Sequence, residues 1–224
     1  METITFTTED GVRLEGELRM PDGPARGTAV ICHPHPRHGG SKDHPILWAL
    51  RNELAGHRNL AVLSFNFRGV MGSGGTYGGG RDEVADVQAA LARAGDEVPD
   101  RPTVLCGWSF GANVALREAV DDDGPAALIL YGIPLRPNDL TLPALPAPAQ
   151  LRTFRRPVLV ITGDADVYCP PDDARAFTAA FPDASLTLLE GTDHYLWRHE
   201  REAAAFAGSF VERVLPPAPG ALPA

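Results

Sequence analysis

The pentapeptide Gly107-Trp108-Ser109-Phe110-Gly111 closes an apolar run and opens a segment of helical period. A serine with glycine two residues away on either side suits a sharp strand-to-helix turn. Such a turn crowds any Cβ at the glycine positions and holds the serine hydroxyl clear of the sheet. The helix start also favours negative charge developing beside it. The chemistry this predicts is nucleophilic attack on an acyl carbon, with Ser109 as nucleophile. Serine is a weak nucleophile without a base, and the base needs an acid to orient it. For a serine on this kind of turn the acid and then the base are expected downstream, each after a strand. Gly163-Asp164-Ala165-Asp166 follows the apolar run 158–162, and Gly191-Thr192-Asp193-His194 follows the run 186–189. The other histidine beyond Ser109, His199, falls in or beside the last helical segment and reads as a solvated helix residue, so His194 is the predicted base. Two carboxylates compete to be the acid. Asp164, next to Gly163, suits bracing the turn. Asp166 has the reach to meet His194 and is favoured, with Asp164 as the alternative.

A tetrahedral intermediate needs two N–H donors for its oxygen. One is expected from Phe110, the residue after the nucleophile, and the other from the loop His33-Pro34-His35-Pro36-Arg37-His38-Gly39-Gly40. The prolines carry no N–H, which leaves the amides of His33, still at the strand end, and His35. The His35 main-chain amide is the predicted second donor. The rival reading takes His33, His35, His38 and His44 as metal ligands, but no carboxylate pattern accompanies them, so no metal and no cofactor are assigned. The glycine-rich run 69–80 lacks the Lys-Ser/Thr of a phosphate loop and reads as a loop beside the site. Asp121-Asp122-Asp123 reads as a solvated acidic turn closed by Gly124. Four aromatic residues near the three catalytic candidates in sequence, Trp108, Tyr168, Tyr195 and Trp197, are candidate substrate contacts.

The elements that must position these groups follow from the apolar periodicity. Residues 4–8 and 12–20 alternate at period two around Asp10-Gly11, which predicts an antiparallel hairpin. Six later runs, 28–32, 60–65, 103–106, 127–131, 158–162 and 186–189, are short and mostly apolar, as expected of parallel strands buried on both faces. Between and after them, 46–57, 81–94, 112–120, 173–181 and 200–214 read as helices. A hairpin followed by β-α repeats predicts a mostly parallel, doubly wound sheet of about eight strands with helices on both faces. The segment 134–157 carries six prolines in 24 residues. It reads as an irregular connection or a reduced lid. Residues 1–215 read as a single domain and 216–224 as a flexible tail.

Acidic residues outnumber basic ones, 29 Asp+Glu against 20 Lys+Arg, for a formal net charge of −9. That balance argues against nucleic acid and anionic membranes as partners, since both are held by clustered Lys and Arg. Three cysteines without a CxxC pair indicate neither a disulfide framework nor a zinc cassette. With no signal-peptide pattern and no membrane-length apolar run, a cytoplasmic protein is expected.

Taken together, the residues resemble the α/β-hydrolase superfamily, and most closely its small bacterial predicted hydrolases that pair an HPHP segment with an NFRG segment and a GxSFG turn. The resemblance rests on His33-Pro34-His35-Pro36, Gly39-Gly40, Asn66-Phe67-Arg68-Gly69-Val70, Ser73, Gly75, Glu83, Asp86, the pentapeptide around Ser109, Asp166 and His194. It spans nearly the whole chain. It implies the α/β-hydrolase fold and cofactor-free hydrolysis of an ester or related acyl bond. Two residues depart from the pattern: Met71 stands where a further glycine is usual, and Asp82 precedes Glu83 where glycine is common. Both put the shape of the loop 69–81 in question. The expectation is a carboxylesterase-like enzyme with minimal or no cap, acting on a small-molecule ester of small or medium acyl group. An acyltransferase, thioesterase or peptidase with the same triad is the alternative, and a non-catalytic binding protein on the same fold is the rival from another class.

Overall fold

The computed structural model describes residues 1–121 and 124–217. Asp122 and Asp123 of the acidic turn, and 218–224 of the expected tail, lie outside the described residues. Strands β1 (Glu2–Thr7) and β2 (Arg13–Arg19) form the antiparallel hairpin, turned at Asp10-Gly11, where Gly11 has φ +83°. The remaining strands are β3 (Gly27–Cys32), β4 (Leu60–Phe65), β5 (Thr103–Trp108), β6 (Ala127–Tyr131), β7 (Val158–Gly163) and β8 (Ala184–Leu189). All eight join one sheet in the order β1-β2-β4-β3-β5-β6-β7-β8, and every pair from β4 onward is parallel. β3 through β7 are buried along their full length, which explains their apolar sequences, whereas β8 at the edge is only half-buried.

Helices cover both faces. α1 (Pro45–Arg58) and α6 (Glu200–Val214) pack together on one side, where Leu50, Leu54, Ala207 and Phe210 meet Ile31, Val62 and Ile129 of the sheet. α2 (Glu83–Glu97), α3 (Phe110–Asp121) and α5 (Pro171–Thr178) cover the other, contributing Val87, Ala115 and Ala174 to a core with Val30, Leu105 and Val160. The proline-rich segment holds one further helix, α4 (Pro148–Thr153), that periodicity does not predict. Six residues are too few to show a helical period. Pro148 at its first turn and Gln150 Oε1, which accepts the Ala147 amide at 2.9 Å, account for its start. The chain end is tied back by Arg26, whose Nε donates to the Pro216 carbonyl oxygen at 2.8 Å and whose guanidinium pairs with Glu212. Among the described residues no helix is long and apolar enough to cross a membrane.

In the loop 69–81 the Met71 backbone lies in the region that glycine favours. Met71 has φ +50°, a left-handed conformation disfavoured for a residue with a Cβ, and its side chain points into solvent. The buried Glu83 carboxylate accepts the Gly78 and Gly80 amides, each at 2.7 Å. Arg68 donates to Asp86 Oδ1 at 2.9 Å and to Asp10 Oδ2 at 2.8 Å, so it fastens the hairpin turn and the end of β4 to α2.

Candidate active site

The strand β5 runs to Trp108 and α3 begins at Phe110, so Ser109 alone makes the turn between them, at φ +55°. Its amide donates to the Tyr131 carbonyl oxygen at 2.9 Å, and its own carbonyl accepts Ala112 and Asn113 amides. Side chains at the flanking positions are impossible without movement. A Cβ on Gly107 would lie 2.4 Å from the Gly111 oxygen, and one on Gly111 would lie 2.3 Å from the Cys32 oxygen. The strain at Ser109 is therefore held by buried packing on both sides.

Asp166, fully buried at the loop after β7, faces His194 in the loop after β8, with Oδ2 2.9 Å from Nδ1. The carboxylate is satisfied all round. The Thr162 hydroxyl donates to Oδ2 at 2.9 Å, and the amides of Tyr168 and Cys169 donate to Oδ1 at 2.8 and 3.0 Å. Burial pushes the Asp166 pKa up, but the His194 hydrogen bond and charge, with the Cys169 amide and Thr162 hydroxyl, outweigh it and hold the acid below its ordinary value. Asp164 instead accepts the Gly191 amide at 2.9 Å, bracing the turn after β8. Two further contacts seat the His194 loop. Trp108 Nε1 donates to the His194 carbonyl oxygen at 3.2 Å, and the backbone at Thr192 passes so close to Gly163 that a Cβ there would sit 2.2 Å from its oxygen. The His194 ring lies among those of Tyr168, Tyr195 and Trp108, with centroids 4.8, 5.8 and 5.9 Å away.

The HPHP histidines divide their work. His33 is wholly buried, its Nε2 accepting the Phe67 amide at 3.0 Å and its Nδ1 lying 2.6 Å from the Pro34 oxygen. That pair of contacts requires the proton on Nδ1. Burial holds its pKa down at about 4. His35 starts a short 3₁₀ turn, Pro36–His38; its carbonyl accepts the amides of His38 and Gly40, and its Nδ1 accepts that of Arg37. Its Nε2 meets the Tyr77 hydroxyl at 3.1 Å, and its ring lies 5.2 Å from that of Phe110. Burial, then His38 and Arg37, hold the His35 imidazole at about 4 against the opposing pull of Asp139. His44 caps α1 and rests on Trp108, ring centroids 4.2 Å apart. His38 packs edge-on against His35, ring centroids 4.6 Å apart, while His33 and His44 face other partners, and among the described residues no three His, Cys, Asp or Glu side chains group around a common point.

Ser109, His194 and His35 line one open cleft. Of the four aromatic residues singled out from sequence, Trp108, Tyr168 and Tyr195 line it as well. Trp197 does not; it stacks on Tyr195 at 6.1 Å and is about half exposed beyond the cleft. Sequence reasoning missed three contributors. Thr162 ends an apolar strand with nothing to mark its hydroxyl as an aspartate partner. His44 reads from the sequence only as a rival metal ligand. Leu140 sits in the irregular segment, where no period assigns a face.

A family model described as an alpha/beta hydrolase domain matches residues 28–213. An uncharacterized protein of Rickettsia prowazekii is 33% identical over 118 residues, covering 52% of this chain and 49% of that protein. A monoacylglycerol lipase of Mycolicibacterium smegmatis is 28% identical over 181 residues, covering 78% of this chain and 62% of the lipase. The chain thus matches less than two thirds of the length of either relative. Among solved structures, an α/β serine hydrolase without lid from Xanthomonas campestris is similar at 27% identity with a TM-score of 0.81, over 97% of this chain and 96% of that one.

Proposed function

Because this chain belongs to the α/β-hydrolase family, we propose that it is a serine hydrolase cleaving carboxylic esters of small or medium acyl group. The observation that carries the reading is the buried Asp166–His194 pair, 2.9 Å apart, opening onto the cleft that Ser109 lines from its strained turn. Ser109 Oγ attacks the ester carbonyl while His194 Nε2 takes its proton. Asp166 holds the Nδ1–H tautomer and stabilises the imidazolium, and four hydrogen bonds keep the acid ionised for that task. The amides of Phe110, at the start of α3, and His35 receive the oxyanion. The hydrogen bonds on the His35 carbonyl and imidazole, and the approach of its ring to Phe110, support that pairing. The alcohol leaves with the proton from His194, and water then releases the acid by the same steps in reverse order.

The acidic balance and the cleft walls support a small-molecule substrate with no nucleic-acid or membrane partner. Three buried free cysteines support a reducing, cytoplasmic setting. The test is a panel of p-nitrophenyl esters of rising acyl length, with thioesters and peptides as controls. Turnover of the short esters by the native chain and none by Ser109→Ala is expected. Preference for thioesters or peptides, or equal turnover by Ser109→Ala, overturns the reading.

A further inference from the structure

One edge of the cleft belongs to the proline-rich segment between β6 and α4, and a single residue ties that segment to the catalytic acid. Tyr168 donates its amide to Asp166 Oδ1 at 2.8 Å, and its carbonyl oxygen accepts the amides of both Leu135 and Arg136 at 2.9 Å. Its hydroxyl donates to Asp139 Oδ1 at 3.0 Å, and its ring lies 4.8 Å from that of His194. The segment is pinned elsewhere too. Asn138 Nδ2 donates to the Val167 oxygen at 3.2 Å, and Arg136 forks onto Asp173. On the far side, Asn113 Nδ2 reaches the Pro143 oxygen at 3.2 Å. Between these anchors the Leu140 amide closes a tight turn onto the Pro137 oxygen at 2.7 Å. Leu140 then lines the same cleft as Ser109 and His194.

We propose that residues 134–143 form a fixed strap, latched by the Tyr168 hydroxyl on Asp139, that holds Leu140 over the cleft and limits the length of the chain on one side of the scissile ester. The proposal rests on the ester-hydrolase reading and sharpens its substrate class to esters short on that side. The physical basis is economy of freedom. Prolines at 134, 137 and 143 stiffen the backbone in the unfolded chain as well as the folded one, so few hydrogen bonds suffice to fix the turn. Asp139 is exposed, carries one of those bonds and directly precedes Leu140, so it is the closure point nearest the cleft. Freed from it, Leu140 swings out with the turn and the cleft lengthens.

Asp139→Ala removes both the acceptor and the charge, whereas Asp139→Asn keeps an acceptor oxygen and removes only the charge. Each variant is compared with the native chain on two series: p-nitrophenyl esters from acetyl to decanoyl, and acetate esters of alcohols of rising length. The readout is the ratio of kcat/KM for the longest to the shortest member. In one series the ratio is expected to rise about tenfold for Asp139→Ala, the scale on which a few methylenes are discriminated, and to stay native for Asp139→Asn. An unchanged unfolding midpoint shows that the variants are folded. If neither series moves in Asp139→Ala, or if Asp139→Asn behaves as Asp139→Ala, the latch is refuted while the esterase reading stands. If the native chain cleaves no ester at all, both fall together.

Discussion

The floor and the roof of the cleft are built on different principles. On the floor, Ser109, Asp166 and His194 are each nearly or fully buried and held from several directions: Asp166 alone has four hydrogen-bond partners, and the Ser109 turn is jammed between backbone groups. On the roof, the strap residues Arg136 to Asp139 are exposed, and the polar side chains among them are held by contacts with solvent close by. The floor resists displacement because moving one group strands a buried partner. The roof gives way for little, since exposed ion pairs and single surface hydrogen bonds contribute little to stability. On the proposed function, chemistry that tolerates no misplacement would sit on the first kind of support, and substrate fit would be left to the second.

If that contrast holds, damage to the floor should dwarf damage to the roof. Asp166→Asn, measured by kcat on a short p-nitrophenyl ester, should lose about 10³- to 10⁴-fold because the amide favours the wrong imidazole tautomer. Asp164→Asn should stay within about threefold, because an amide oxygen still accepts the Gly191 amide. Reversed effects would hand the role of acid to Asp164. Gly163→Ala introduces a Cβ 2.2 Å from the Thr192 oxygen and must push the His194 loop outward. A loss of about 10- to 100-fold in kcat is expected from a displacement of roughly an ångström.

The buried His33 of the HPHP loop adds a pH signature. His33 is held at about 4 in the fold, below its ordinary 6.5, so between those values the unfolded chain binds a proton that the folded chain does not. Stability therefore rises with pH across that window and falls as pH drops from 6.5 to 4, by about 3 kcal/mol for this group. His33→Gln removes the titration, and urea unfolding should show a flatter stability profile between those pH values than the native chain. An equally steep profile would place the sensitivity elsewhere. The smallest effect belongs to the roof. Arg136→Ala breaks the exposed pair with Asp173 and should move the thermal midpoint by no more than about a degree.

The same contrast explains what the sequence discloses. Buried parallel strands must be apolar throughout, so β3 to β7 announce themselves. The turn at Ser109 admits only glycine at two flanking positions, so it leaves a pattern that can be read without coordinates. Even Met71, a departure from the glycine pattern, sits at φ +50°, in the left-handed region that glycine favours. The strap leaves no such trace. Its conformation comes from scattered hydrogen bonds to Tyr168, Val167 and Asn113, partners far apart in sequence that no period links, and α4 is too short to show one. Thr162 and Asp166, four residues apart, likewise meet only because the chain turns back after β7. The sequence favours Asp166 over Asp164 on reach alone because both lie within one loop, and the direction each side chain takes separates them.

The central claim is that Ser109 is an activated nucleophile in an open cleft. Reaction of the native protein with a fluorophosphonate, followed by mass spectrometry of its peptides, tests this most directly. The account predicts a single adduct, carried by the peptide that contains Ser109, lost in Ser109→Ala and strongly slowed in Asp166→Asn. No adduct on the folded native chain, or an adduct retained in Ser109→Ala, would contradict it.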